Sequence, residues 1–463
     1  MATRFVSIDR DTPLLLLPNL RDWVPGDHLV HFILDAVDAL DLRQVRVNTR
    51  GTGSEQYPPP MLLALLIYSY ATGIFGSRRI EQSTHDSVPV RLLTADTHPD
   101  HDTLCTFRRE NQALLTESFV KVLQMAQQLK VLKLGQLTVA ADGTKVLANA
   151  SKHSAVSYER AGTMIAQLEL EVQQLLTKAE QADATPLQDG LTIPEEIARR
   201  QERKAALAQA RTEIEARARA RYTAQLAEHE QKLAARAAKQ ERGEKVGGQP
   251  PQAPTPTPAP GDQYNFTDSE SRIMKAGNGN HFEQSYNAQA AVEVESRLIV
   301  GERVSQAPND KQELVPTLRA IPAVVGTVAV ALVDSGFFSE KAVQQVEQGE
   351  AGTRVYSAVE KTGHHRSVAD LETKPDPESP AAEASGTEVM RHRLRTAAGK
   401  ALYKLRQQTV EPVFGIIKAV LGFRQFRLRG RAKVSLEWTL VCLAYNLKRL
   451  HRLGAGLKLA ERN

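Results

Sequence analysis

The sequence predicts an α/β fold with an all-α region in front of it and a helical hairpin inserted into it. Three observations carry this reading. The first third places apolar residues at helical spacing between short polar breaks. Two apolar runs of strand type, "LTVAAD" and "VAVALVD", each end in a lone aspartate, Asp142 and Asp334. Between them lies a long stretch dominated by Ala, Glu, Gln, Arg and Lys, a composition typical of long solvated helices.

In order along the chain, "PGDHLVHFILDAVDALDL" reads as an amphipathic helix with Asp27 at its cap. "MLLALLIYSYATGIF" (Met61 to Phe75), introduced by Pro58, Pro59 and Pro60, is too short and interrupted to span a bilayer and reads as a buried helix. "GSRRIEQST", "VPVRLLT" and "HPDHDTLCTFRRENQALLTESFVKVLQMAQQL" follow as short helices with tight breaks. With Arg78, Arg79, Arg108 and Arg109 between apolar positions, they fit a helix-turn-helix arrangement and, equally, a bundle with a solvated charged face.

Two helices are expected from Tyr158 to about Gln181 and from Ile193 to about Lys245. Met164, Leu168, Val172 and Leu175 form one apolar stripe; Leu207, Ile214, Leu226 and Leu233 form a thinner one. Thr192 and Glu195 have capping-box spacing for the second helix. "GGQPPQAPTPTPAPGD" then reads as an extended linker. Strand patterning resumes at "HFEQSYNAQAAVEVESRLIVGERVS", an antiparallel pair turning at "VESR". "NDKQELVPTLRAI" reads as a helix capped by Asp310 with Glu313. After the Asp334 strand come a helix, a polar loop from about Arg366 to Glu388, and a helix opening at Glu411 with Pro412 in its first turn. An apolar helix around "LEWTLVCLAYNLKRL" closes the chain.

The 463 residues suit two or three structural units. A balance of 59 basic to 54 acidic residues, net +5, is mildly basic, so local clusters matter more than the total. Cys105 and Cys442 alone make neither a disulfide framework nor a zinc site, and His364-His365 lacks ligand spacing. "MATRFVSIDR" has no signal-peptide core, so a cytoplasmic protein without a membrane partner is expected.

Asp142 has two readings from its neighbours. Asp-Gly is common turn chemistry at a strand end; alternatively, Asp142 belongs to an oxygen-rich metal site. Asp334 stands in the same setting, and strand ends on one edge of a sheet share a crevice. Glu411 is the best third carboxylate. Asp268 in "NFTDSESRIM" is a rival, but it closes no strand and reads as structural or substrate-facing.

"TVAADGTKVLANAS", "VALVDSGFF" and "YKLRQQTVEPVFGIIKAVLGFRQFRLRG" resemble the three acidic blocks of bacterial insertion-sequence DDE transposases. "PPPMLLALLIYSYATGIFGSRRIE", "HPDHDTLCTFRREN" and "YNAQAAVE" resemble other parts of one large group in that family. The resemblance implies an RNase H-like mixed sheet flanked by helices, with Asp142, Asp334 and Glu411 as catalytic and metal-binding acids. It divides the chain into a helical DNA-binding domain (1–133), the first part of the catalytic domain (134–155), an inserted helical arm and Pro-rich linker (156–264), the remaining catalytic domain (265–450) and a tail (451–463). Two Mg²⁺ ions, with Mn²⁺ able to substitute, would activate a water and then a 3′-hydroxyl for in-line attack on DNA phosphodiesters.

Tyr403, Arg406, Glu411 and Lys418 reproduce a pattern of related transposases, which implies that Tyr403, Arg406 and Lys418 meet DNA; Lys418 lies about two helical turns past Glu411, facing either a phosphate or solvent. Arg424, Arg427, Arg429, Arg431 and Lys433 form a phosphate-neutralising cluster, with Phe423 and Phe426 turned to the core. The implied partners are DNA, as terminal inverted repeats contacted by Arg78, Arg79, Arg108 and Arg109 of the helical domain and as target, and further copies of the chain assembled on it. The rivals are a transposase-derived protein that binds DNA without cutting it, a nuclease of the same fold that does not join strands, and a structural coiled coil.

Overall fold

A computed structural model describes residues 19–40, 42, 45, 56–133, 135–182, 193–243, 249–275, 281–359, 375–381 and 383–454. The chain forms two compact units, residues 1–146 with 287–463, and residues 147–286. The first unit opens with helices α1 (Leu29–Asp38), α2 (Pro59–Ala71), α3 (Ser77–Asp86), α4 (Val88–Leu93), α5 (His101–Glu110) and α6 (Gln112–Gln128). Helix α2 is buried on every side from Leu62 to Ala71, as its uniform apolarity requires. The cap of α1 is His28, not Asp27: the chain stays extended through His28, whose Nδ1 accepts from the Val30 amide. Strand β1 (Gln136–Leu147) follows.

The second unit holds β2 (Ala155–Ser157), α7 (Tyr158–Ala182), α8 (Ile193–Glu241), β3 (Gln263–Asn265) and β4 (Arg272–Lys275). Helices α7 and α8 form the expected hairpin, packed around Leu168, Leu207 and Ala210 with Met164 beside them. The stripe fades toward the end of α8, where Leu233 is exposed. Thr192, and with it the expected capping box, lies outside the described residues, as does His364-His365. The end of the Pro-rich segment is tied down, since Arg221 donates to both oxygens of Asp262 at 3.1 and 2.8 Å. Asp268 is structural: it is buried and accepts from the Tyr286 hydroxyl at 3.0 Å on each oxygen.

Strand β5 (Phe282–Glu293) pairs with β4 through its first residues and with β6 (Ile299–Ser305) through its later ones, antiparallel in both cases. The rest of the first unit comprises α9 (Leu314–Arg319), β7 (Thr327–Val333), α10 (Glu340–Glu347), β8 (Arg354–Ser357), α11 (Gly386–Arg395), α12 (Ala397–Gly415) and α13 (Arg431–Arg452). Its sheet runs β6-β5-β1-β7-β8, with β1, β7 and β8 parallel. This is the mixed sheet flanked by helices that was expected. No helix among the described residues is long and apolar enough to cross a membrane.

Helix α13 joins the helical region to the sheet, packing on α2, α6 and β6. Trp438 Nε1 donates to the Gln289 carbonyl at 3.0 Å, and Asn446 bonds both ways with the backbone of Ile299. Glu437, fully buried on α13, accepts from the Tyr70 hydroxyl at 3.1 Å and from the amides of Arg427 and Leu428. Arg108 in turn donates to Tyr70 at 3.0 Å.

Glu302 on β6 is half-buried, but its Oε2 is sealed from solvent and unpartnered, while Oε1 accepts from Thr439 at 2.7 Å. Burial pushes its carboxyl up to about 7 from the ordinary 4.5. A carboxyl raised on folding stabilises fully below its unfolded pKa and loses that contribution as pH rises through the folded one. Glu302→Gln should therefore match the native chain near pH 4.5 and exceed it by about 3 kcal/mol at pH 8. Urea unfolding at the two pH values checks this; equal stability at pH 8 refutes it.

Candidate active site

The parallel ladder of β1 with β7 ends at the pair Ala141 and Val333. Asp142 and Asp334 are the next residues on neighbouring strands, so register alone brings them together. Strand β1 does not stop there, however. It runs on to Leu147, which removes the turn reading of Asp142-Gly143. Asp334 ends its strand and caps a short 3₁₀ turn, its Oδ1 accepting from the Ser335 amide at 2.6 Å.

Glu411 comes from α12, but not from its first turn. The helix starts at Ala397, where the Thr396 hydroxyl accepts from the Gly399 amide, and Pro412 lies inside its last turns. An interior proline removes one backbone donor and crowds the preceding turn. Directly afterwards the chain takes a π-helical turn, Ile416–Val420. The wider turn changes the angular advance, so counting two regular turns from Glu411 does not place Lys418. Lys418 is half-buried and its Nζ donates to the Lys145 carbonyl at 2.8 Å.

Arg406 is buried between the acids, with its guanidinium 3.4 Å from Asp142 Oδ2 and 3.1 Å from Glu411 Oε1. Its sequence-based assignment to DNA is corrected to a carboxylate partner, because both terminal nitrogens are engaged. Tyr403 is likewise a buttress: its hydroxyl donates to the Val333 carbonyl and accepts from the Ala358 amide, bracing the strand that delivers Asp334. Burial pushes Asp142 up to about 7, with Asp334 and Asp310 adding to the rise while the Gly143 amide and Arg406 oppose it.

Asp310 was not foreseen here. It caps no helix, since α9 begins only at Leu314 with Glu313 before it. Instead Asp310 Oδ1 accepts from Asn287 Nδ2 at 2.7 Å and Gln289 Nε2 at 2.6 Å. Glu313 pairs with Arg303 and accepts from Ser305. One signal was available: Asn287 and Gln289 alternate with alanines in "NAQAAV", the apolar second half of the strand, and buried amides need partners.

Among the described residues, no group of three or more His, Cys, Asp or Glu side chains is arranged to hold a metal ion. Carboxylate is nonetheless the ligand type that hard divalent cations take. Asp142 and Asp334 follow paired positions of β1 and β7, Arg406 reaches from Asp142 to Glu411, and burial keeps the charge of Asp142 unfavourable without a counter-ion. Arg406 offsets part of that charge.

The basic candidates divide by exposure. Arg78, Arg79 and Arg109 are exposed, Arg109 beside Glu110. Arg108 is buried against Tyr70 and is withdrawn as a DNA contact. Arg424, Arg427 and Arg429 are exposed on the segment between the π turn and α13, with Phe423 and Phe426 buried as expected. Burial lowers the Lys418 pKa, and the nearby charges of Arg424 and Lys145 lower it further. Lys145, Lys418 and Arg424 thus form a basic flank beside the acids.

Residues 254–447 match the family described as Transposase DDE domain, a span that contains Asp334 and Glu411 but not Asp142. Residues 18–110 match the family described as Transposase domain (DUF772), which covers α1 to α5. No curated protein and no solved structure gave a match. Two transposase families in the expected order, on a mixed sheet flanked by helices, identify the chain as a member of the insertion-sequence DDE transposases.

Proposed function

We propose that this transposase cuts DNA at the ends of its element and joins the freed 3′-hydroxyl to target DNA, using Asp142, Asp334 and Glu411 as its catalytic acids. The observation that carries this is the register of β1 on β7, which sets Asp142 beside Asp334, with Arg406 linking Asp142 to Glu411. The three carboxylates would hold divalent magnesium, which supplies Lewis-acid activation of the attacking oxygen and stabilisation of the leaving one. The chain's own groups do the rest. Tyr403 and the β1–β7 ladder fix the acids in place. Lys145, Lys418 and Arg424 flank the acids where a phosphate would lie, and Arg427 and Arg429 extend the basic surface. Arg78, Arg79 and Arg109 are offered to the terminal repeats, and the chain works as a homo-oligomer on DNA.

The test incubates purified protein and Mg²⁺ with a plasmid carrying this gene and its native flanks. Breaks at both element boundaries, joined products, and loss of both with EDTA are the expected result. Breaks without joining would assign a nuclease instead. Boundary binding without any cleavage would assign a DNA-binding protein and remove the catalytic role of the three acids.

A further inference from the structure

The second unit carries none of the three acids, yet it holds a groove of about 520 Å³ at the foot of the helical hairpin. Val156, Met164 and Leu207 give the groove an apolar floor, and Phe266 stands at its edge. Phe266 directly follows β3 and shares the face of Tyr264, since side chains alternate along a strand. Its amide donates to the Ser154 carbonyl at 3.0 Å, and Tyr264 meets its ring edge-on with centroids 5.4 Å apart. The ring is thus held in place while 48% exposed. A scattered exposed ring is ordinary; this one is fixed and lines a cavity.

The charges around the groove are a second, independent observation. Arg199 and Arg203 line it from one turn apart on α8, and Arg160 lines it from the first turn of α7. Other arginines of the hairpin serve the fold. Arg200 pairs with Glu171 and Glu196, Arg221 pairs with Asp262, and Arg211 lies over the Tyr158 ring. Arg160 and Arg203 meet no carboxylate among the described residues, and Arg199, 74% exposed, reaches only Glu196. Glu202 alone brings negative charge to the lining. A fixed aromatic face beside uncompensated guanidinium groups stacks bases and neutralises phosphates, the combination that holds single-stranded nucleic acid. A duplex keeps its base faces stacked on one another and offers Phe266 none. We infer that this groove binds single-stranded DNA, with a base on Phe266 and phosphates on Arg160 and Arg203. The inference rests on the proposed cutting of DNA for the source of the unpaired strand, and adds a site in the unit without the acids.

The test adds the full chain, without Mg²⁺, to a labelled oligothymidine of about 12 nucleotides and to a duplex of equal length, and reads anisotropy. Phe266→Ala should weaken single-strand binding about 5- to 150-fold, leave duplex binding unchanged, and melt like the native chain. Phe266→Trp should restore the affinity. Arg160→Gln together with Arg203→Gln should flatten the slope of log affinity against log salt by about 1.4, from two phosphate contacts at ~0.7 each. Unchanged single-strand affinity in Phe266→Ala overturns the inference, and so does an equal loss on the duplex. A lower oligomeric state of Phe266→Ala with unchanged DNA affinity assigns the groove to a second copy of the chain and also overturns it. The two readings fail separately. A chain that cuts element boundaries without Phe266-dependent binding loses this site alone. One that binds the single strand through Phe266 yet never cuts with Mg²⁺ loses the proposed cutting and keeps the groove.

Discussion

Asp142→Asn should lower metal-dependent cleavage at element ends by about 10³-fold or more, while leaving the metal-free protein at least as stable as the native chain above pH 7. The first half follows from the role proposed for the carboxylate: a metal ion contributes several kcal/mol to the transition state, and each 1.36 kcal/mol is tenfold in rate. The second half follows from its electrostatics. Burial raises Asp142 from 3.8 to about 7, so the neutral acid suits the metal-free fold and the ionised acid does not. Its contribution is fully present below pH 3.8 and lost as pH rises through about 7, on the order of 4 kcal/mol at most. Asparagine has no charge to bury and escapes that loss. Single-turnover cleavage beside urea unfolding at pH 8 separates the two effects. An inactive variant that is also several kcal/mol less stable would show that Asp142 holds the fold rather than a metal.

The largest structural effect is expected at Glu437. Glu437→Ala removes the carboxylate charge that offsets the buried guanidinium of Arg108, leaves the Tyr70 hydroxyl without its acceptor, and frees the amides of Arg427 and Leu428. Each buried donor left unsatisfied costs about 1–3 kcal/mol, and the nearby guanidinium loses an offsetting charge, so a loss of about 3–5 kcal/mol is expected. Pairing the change with Arg108→Met should recover part of that loss, so the double variant is more stable than Glu437→Ala alone. Urea midpoints of the two variants decide the matter. Because Glu437 anchors the start of the Arg427–Arg429 segment, the single variant should also bind DNA more weakly at low salt.

The elements of this protein were legible wherever a single segment carries its own signal. Helix α2 follows from an unbroken apolar run, the hairpin of α7 and α8 from helical composition, and β5 with β6 from strand residues around a turn. Phe423 and Phe426 faced the core because apolar rings between arginines have nowhere else to go. Asp142, Asp334 and Glu411 could be named because each sits in a block of local sequence that resembles a known one.

What sequence did not reveal depends on contacts between segments far apart in the chain. Arg108 and Arg109 are adjacent and identical in type, yet one is buried against Tyr70 and the other exposed. Arg406 looked like a phosphate contact until folding set it between Asp142 and Glu411. Asp310 had capping-box spacing, but the stronger claim on its carboxylate came from two amides on β5. The π turn at Ile416–Val420, which sets the angle at which Lys418 leaves the helix, carries no local signal either. The physical reason is the same in each case. Local sequence sets backbone preference and burial pattern, whereas a charged side chain settles on whichever partner best offsets its desolvation, and only the folded chain determines which partners are within reach.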